Sequence, residues 1–381
     1  MSTFLDWYNI IEVTVMIKAV LTNEILKYIT EIERNRYRAS SVKLSRSVTN
    51  RLRKNSKKKS SYASAKIEGN PLSEKQADEV IERDERKHFL KPEQEIRNYF
   101  LALNYLEEKA ERREGFSKKL ILDVQEYVEK GAPAEKIGLR GPMPPGVLFA
   151  VYDSQSGNPD YIPPEYSDVP NLLDELVAYV NTTDDHPLLV AAVVHYQLVT
   201  IHPFEDGNGR TARLLSGYIL DINGYGFYGI GSLEEYFAYD INEYYESIQM
   251  GLPALYYLGR NNPPHPEIWF HYFLRMVMLY SNKVCELSES SSEEELSGSL
   301  SYLKAREKEL LLFLIKNYKR EFTPIEVSRE LGVTNKTVIN RLAVLVKNGF
   351  VVPVMAKERI RSYKLSDFAK MNEKEIKKMM E

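Results

Sequence analysis

The run His202-Pro203-Phe204-Glu205-Asp206-Gly207-Asn208-Gly209-Arg210-Thr211-Ala212-Arg213 carries the densest chemistry in the chain. It follows the most apolar stretch, Pro187–Ile201, whose spacing predicts a buried helix. A second helix is expected from about Arg210. The glycines between them let backbone N–H groups approach a ligand closely. At a helix N-terminus the dipole favours an anion there. Arg210 and Arg213 are three residues apart and share a helix face. Guanidinium forks match phosphate oxygens, and Asp206 offers a hard oxygen to a divalent cation. His202 is the side chain suited to take a proton near neutral pH. Together these parts describe phosphoryl or nucleotidyl transfer. No G-x-x-x-x-G-K-S/T run occurs, which excludes a P-loop. A metallohydrolase is a weaker rival. His195 and His202 are seven residues apart, but no H-E-x-x-H supports them and His195 reads as a core histidine.

Outward from this run, helical periodicity dominates. Glu93–Glu114, Ser117–Gly131, Val169–Asn181, Arg210–Asn223, Leu233–Met250 and Glu267–Leu287 all space apolar residues by three and four. Gly131, Gly224 and Gly251 suit left-handed helix stops. The exception is proline-rich Gly138–Pro164. Its apolar pieces Val147–Tyr152 and Tyr161-Ile162 flank the turn-rich Asp153–Asp160, predicting a β-hairpin. A lone hairpin is marginally stable and is often kept for contact with something else. The fold class is therefore mainly α with one hairpin.

Upstream, Ser64-Ala65-Lys66-Ile67-Glu68-Gly69-Asn70-Pro71 reads as a short helix ending at Gly69. Ser73 and Gln76 then form a capping box for the next helix. Glu68 thus falls at a helix C-terminus, where the dipole disfavours a carboxylate, so it calls for a compensating cation.

The chain has 381 residues and a net charge of −3, which suggests two or three domains and no polyelectrolyte. One cysteine, Cys285, excludes an internal disulfide and a Cys-rich zinc site. Asp6 and Glu12 argue against a secretory leader, and Pro187–Ile201 is too short to span a bilayer, so a soluble cytoplasmic protein with no membrane contact is expected. Arg34–Lys59 holds eleven basic and no acidic residues; a solvated surface with a loop at Asn55–Lys59 is preferred to a nucleic-acid patch. Glu286–Ser299, with five Glu and many Ser, reads as a linker. Beyond it, residues 301–381 carry eighteen basic and ten acidic residues, net +8. There, Phe322–Val333 and Thr334–Asn348 read as helix, turn, helix. Two β-like runs around Lys357, Arg359 and Arg361 complete a winged helix-turn-helix pattern, with Thr334, Asn335, Lys336 and Thr337 opening the recognition helix.

Residues 202–213 resemble the Fic motif, H-x-F-x-D/E-G-N-G-R-x-x-R, at every fixed position, and the likeness extends over roughly residues 60–260. The resemblance implies a Fic-type helical bundle with a β-hairpin flap. It implies transfer of AMP from ATP, with Mg²⁺, to a Ser, Thr or Tyr hydroxyl of a target protein. His202 would be the base and Asp206 the metal ligand. Gly207, Asn208 and Gly209 would hold the α- and β-phosphates, Arg210 the β-phosphate and Arg213 the γ-phosphate, with Phe204 a core anchor. Related Doc-type kinases carry Lys at the second glycine, so Gly209 favours nucleotidyl transfer. Ser64–Gly69 resembles the family's inhibitory motif, S/T-x-x-x-E-G/N, which implies autoinhibition by a Glu68–Arg213 pair. The hairpin resembles the family's flap, implying that Phe149, Val151, Tyr161 and Ile162 dock the target by strand addition. The expected organisation is a helical region at 1–115 with the inhibitory helix near 60–70, a catalytic core at 116–285, a linker at 286–300 and a winged helix at 301–381. A protein target, DNA contact through the C-terminal domain and a homodimer are the partners considered. A nucleotide-sensing transcriptional regulator and an AMP-removing enzyme are the alternative functions.

Overall fold

The computed structural model describes residues 16–83, 89–147, 149–152, 159–253, 263–356 and 359–380. Asp6 and Glu12, the hairpin turn at 153–158 and Lys357 lie outside the described residues. The chain divides into two units, one of residues 1–37 and 52–284, the other of residues 38–51 and 285–381.

The first unit is helical with one hairpin. Its elements are α1 (Asn23–Ser41), α2 (Arg46–Ile67), α3 (Glu74–Glu82), α4 (Lys91–Glu111), α5 (Lys118–Val128), β1 (Val151–Tyr152), β2 (Pro159–Tyr161), α6 (Val169–Thr182), α7 (Pro187–Ile201), α8 (Asn208–Ile222), α9 (Glu234–Phe237), α10 (Ile241–Gln249) and α11 (Pro266–Ser301). The ends of α1, α2 and α11 pass into the second unit. Helix α7 is the centre: it is buried almost all round, as its unbroken apolar run requires. Pro187 starts it at N1, where a missing N–H costs nothing. His195 is a core residue, with Nδ1 3.2 Å from the Ser216 hydroxyl of α8 and Nε2 2.8 Å from the Tyr244 hydroxyl of α10. The Trp269 indole N–H of α11 donates to the Ala192 carbonyl at 2.8 Å. The two helices that flank the motif are thus fixed by burial and by satisfied polar groups.

The second unit adds α12 (Ala305–Asn317), α13 (Pro324–Leu331), α14 (Asn335–Lys347), β3 (Val351–Ala356), β4 (Arg359–Leu365), α15 (Asp367–Met371) and α16 (Glu373–Met380). A capping box of Thr323 and Glu326 opens α13, and Gly332 at φ +63° closes it. Thr334 caps α14. Strands β3 and β4 pair antiparallel, and Phe322 exchanges both backbone bonds with Tyr363 at 2.8 Å. Leu310, Leu314, Val338, Leu342 and Phe350 form its own core.

Four expectations change. Asn55–Lys59 is not a loop but mid-helix in α2, and Ser64–Glu68 ends that 22-residue helix instead of forming a short one. The basic run is largely paired within the protein: Lys57 bonds Glu107, Lys58 lies 2.9 Å from Glu82 and Lys59 3.0 Å from Glu235. Leu233–Met250 breaks into α9 and α10 because the Asp240 carboxylate caps a new start, accepting from the Glu243 N–H at 3.0 Å. Glu286–Ser299 is not coil; it continues α11. Ser288, Ser291, Ser292 and Leu296 are buried there, while Glu289 pairs with Arg38 at 2.6 Å and Glu295 accepts from the Ser45 N–H at 3.1 Å. The composition is polar, but small serines allow close packing and the glutamates reach partners elsewhere in the unit. Proline at Ser292 should cost about 3 kcal/mol by breaking this helix. A urea melt checks it; an unchanged midpoint would mean that the segment behaves as a linker after all.

Candidate functional site

Helix α7 stops at His202, which adopts the left-handed conformation (φ +50°, ψ +58°). Such a conformation strains a residue with a Cβ and turns the chain sharply. The loop that follows is pinned from inside. Phe204 is fully buried. Asn208 accepts from the Phe204 N–H at 3.0 Å and donates to its carbonyl at 2.9 Å. Gly207, at φ +80°, precedes α8 as its N-cap. The amides of Asn208, Gly209 and Arg210 come before the first helical bond, Thr211 N–H to Gly207 O at 2.9 Å. They are the donors that a helix start leaves for a ligand. The Asn208 side chain thus ties the loop together, using Oδ1 and one of its two Nδ2 hydrogens.

His202 Nδ1 lies 3.1 Å from the Val199 carbonyl, so Nδ1 carries the proton and Nε2 keeps its lone pair. Burial pushes the imidazole down to about 4; the Val199 bond opposes this and the Arg140 charge adds to it. At neutral pH the ring is an uncharged base.

Arg140 is buried and ties the flap to this loop. Its Nε donates to the His202 carbonyl at 2.8 Å, its Nη2 to the Pro164 carbonyl, and its own N–H to the Pro203 carbonyl at 2.9 Å. Its guanidinium also lies 4.8 Å from the centre of the Phe149 ring. That ring is 5.9 Å from the His202 ring. The hairpin pairs Val151 with Tyr161. Tyr161 is buried and its hydroxyl donates to the Thr200 carbonyl, so it anchors the flap and is not free to dock a target. Phe149, Val151 and Ile162 are half-buried. A cavity of about 220 Å³ opens beside them, lined by Arg140, Met143, Phe149, Ile162 and Tyr166 among others.

Two arginines lie on α8. Arg213 is 2% exposed and three contacts hold it: Nη2 to Glu68 Oε1 at 2.6 Å, Nε to the Ser64 hydroxyl at 2.9 Å, and Nη2 to the Ser64 carbonyl at 3.3 Å. Burial pushes the Glu68 carboxyl up, but the Arg213 and Arg210 charges outweigh it and the net shift is downward. The pair is therefore ionised. Gly209 sits against it: a Cβ there would lie 2.7 Å from Glu68 Oε1 and 3.2 Å from Arg213 Nη1. Arg210 places Nη2 2.9 Å from both Asp206 Oδ1 and Glu129 Oε1. Asp206 Oδ1 also accepts from the Gly207 N–H at 2.7 Å.

No group of three or more metal-ligating side chains occurs among the described residues. Mg²⁺ does not need one, since it commonly binds one or two carboxylates together with water and phosphate oxygens. The Asp206 side chain, 39% exposed, fits that requirement. Sequence reasoning brought His202, Asp206, Arg210, Arg213, Ser64 and Glu68 to one place. It missed Glu129, Arg140 and Glu234. Glu234 accepts from the Ser60 hydroxyl of α2 at 2.6 Å and the Tyr99 hydroxyl at 2.8 Å. Glu129 and Glu234 belong to no local motif and only the buried setting of a charged residue marks them; Arg140 stands in the Gly138–Pro164 stretch read as the flap, where no role was given to it.

Residues 115–220 match the family model described as "Fic/DOC family". A protein adenylyltransferase Fic of Drosophila grimshawi is 30% identical over 171 residues, covering 43% of this chain and 33% of that one. The Aedes aegypti protein adenylyltransferase Fic is 43% identical over 68 residues, 17% of this chain and 14% of that one. The chain thus matches a third or less of these relatives' length. Among solved structures, a Fic family protein from Desulfovibrio desulfuricans superposes with a TM-score of 0.58 at 21% identity, covering 92% of this chain and 98% of that one. Fic-1 of C. elegans gives 0.54 at 23%, covering 71% and 73%. Their likeness is one of fold. The family-model match falls on α5 to α8, the stretch that carries the 202–213 motif and the hairpin.

Proposed function

We propose that the protein transfers AMP from ATP to a hydroxyl side chain of a target protein, and that Glu68 restrains this activity. The observation that carries the reading is a neutral imidazole, with Nε2 unprotonated, adjoining a helix N-terminus that bears two buried arginines. The target O–H would give its proton to His202 Nε2. Its oxygen would attack the α-phosphorus, the bond to the α–β bridging oxygen would break, and pyrophosphate would leave. The amides at the start of α8 would receive phosphate oxygens. Arg210 would take a β-phosphate oxygen and Arg213 a γ-phosphate oxygen. Mg²⁺ bound through Asp206 would neutralise phosphate charge. The half-buried Phe149, Val151 and Ile162 suit docking of an extended target segment beside His202.

The Glu68–Arg213 pair occupies the group proposed for the γ-phosphate, and that is the basis for autoinhibition. Glu68→Gly should raise AMP transfer to protein in a lysate by about tenfold or more, the scale of an ordinary coupling energy. The assay uses ATP labelled on the α-phosphate, with His202→Ala as control. No increase, in a variant that still binds ATP, would defeat the autoinhibition claim.

The depressed His202 value gives a second test. Its ring should stay neutral as pH falls through 6 and should titrate near 4, read by NMR of the ring protons. Since the unfolded chain takes up this proton near the ordinary histidine value, the His202 contribution to stability should be lost as pH falls below about 6.5. A midpoint near 6.5 in the folded protein would contradict the neutral, proton-accepting role.

A second reading concerns the C-terminal unit, which we propose is a winged helix that contacts DNA. Asn335 and Lys336 are exposed at the start of α14, and Arg359 and Arg361 are exposed on β4. Full-length protein should bind a duplex at low salt and lose about tenfold or more in affinity by 200 mM salt. Lys336→Ala with Arg359→Ala should reduce the slope. No duplex binding at low salt would assign the unit to protein contact instead.

A further inference from the structure

We propose that Glu129 is a positioning residue for Arg210, holding its guanidinium so that the site gains affinity for the second phosphate of a nucleotide. The inference rests on the nucleotide reading above and assigns part of its specificity to a residue outside the motif.

Arg210 is 5% exposed. A buried guanidinium needs an anion beside it, or burial destabilises it strongly. Two anions are at hand, and both gather on one nitrogen: Asp206 Oδ1 and Glu129 Oε1 each lie 2.9 Å from Nη2. Nε is buried with no hydrogen-bond partner. A buried donor without an acceptor is costly, and a ligand oxygen would relieve it.

The two anions are not equivalent. Asp206 is 39% exposed, shares its Oδ1 with the Gly207 N–H, and is the residue suited to a nucleotide-borne metal. Glu129 is 9% exposed and has no such second task. Its Oε1 is near Nη2 but out of line for a hydrogen bond, so the contact is an ion pair. Whenever Asp206 turns to a cation, Glu129 is the anion that still holds Arg210.

The carboxylate is itself held on a rigid turn. Glu129 caps α5, and its N–H donates to the Gln125 carbonyl at 2.9 Å. Asn98 of α4 donates to the carbonyls on either side, Val128 and Lys130, each at 2.9 Å. Gln94 in turn donates to Asn98 at 2.6 Å. The need for glycine at position 207, the first of the motif's two, follows from this placement. A Cβ at Gly207 would lie 2.8 Å from Glu129 Oε1 and 3.0 Å from Val128 Cγ1. The loop thus closes directly over Glu129. Burial raises the Glu129 carboxyl, the Asp206 and Glu95 charges add to the rise, and the Arg210 charge, ahead of that of Lys91, acts against it.

The test measures binding, not turnover, in the Glu68→Gly background with Mg²⁺ present. ADP and AMP affinities are compared by calorimetry for Glu129, Glu129→Gln and Glu129→Ala. Gln keeps the volume and removes the charge. Both variants should weaken ADP by about tenfold or more, the usual cost of losing a partner that orients a ligand-binding group. AMP, which lacks the second phosphate, should change less than about twofold. ADP affinity unchanged or raised in Glu129→Gln would overturn the proposal. So would a parallel loss of ADP and AMP, which marks a merely structural role. If the Glu68→Gly parent binds neither nucleotide, the nucleotide reading fails, and this proposal with it.

Discussion

The structure depends on how one buried charge is neutralised. Arg213 lies within the body of the first unit, 2% exposed, and cannot shed its charge at any ordinary pH. It must therefore face an anion. Glu68 supplies that anion from the end of α2, and the Ser64 hydroxyl and carbonyl accept two further bonds. Several local features follow. Glu68 can sit at a helix C-terminus, where the dipole opposes a carboxylate, because Arg213 compensates. Gly209 has no side chain because the pair fills the space a Cβ would need. A phosphate is also a doubly suited partner for such a guanidinium. In the proposed function, glutamate and ligand would therefore be rivals for one group.

The helix that brings Glu68 to the site is packed unlike α7. Its buried residues are Ser56, Ser60, Ser61, Ala63, Ser64, Ala65 and Ile67. Small side chains and hydroxyls replace large apolar ones. Polar ties do the holding: Ser60 to Glu234, Ser56 to the Gly231 N–H at 2.7 Å, Lys57 to Asn104 at 2.7 Å. Little apolar surface is buried by such a face, so its displacement costs less hydrophobic free energy than that of α7. Such an attachment would suit the restraining role proposed for Glu68.

Much of this was legible in the sequence, for identifiable reasons. The apolar run of α7 and its Pro187 start gave both boundaries, and the motif after it marked His202, Asp206, Arg210 and Arg213. The capping box at Ser73 and Gln76 was read correctly. Composition misled at two places. Glu286–Ser299 looks too polar to fold, yet its serines pack and its glutamates find Arg38 and the Ser45 amide. Asn55–Lys59 looks like a solvated loop, yet acidic residues distant in sequence pair with its lysines. Glu129 and Arg140 had no assigned role because it exists only once α5 and the flap are folded against the motif, and Glu234 because its partners Ser60 and Tyr99 lie far away in sequence. Tyr161 was read as a docking residue because the hairpin resembles the family's flap; its hydroxyl bond to the Thr200 carbonyl could not be foreseen.

The account turns on Arg213 being shared between a carboxylate and a third phosphate. The most direct measurement compares ATP and ADP affinities in the parent and in the Glu68→Gly variant, by calorimetry with Mg²⁺. The account predicts that the third phosphate adds little affinity in the parent and about tenfold or more in the variant, where Arg213 is free to meet it. An equal gain from the third phosphate in both proteins would contradict it, because Glu68 would then not compete for that guanidinium.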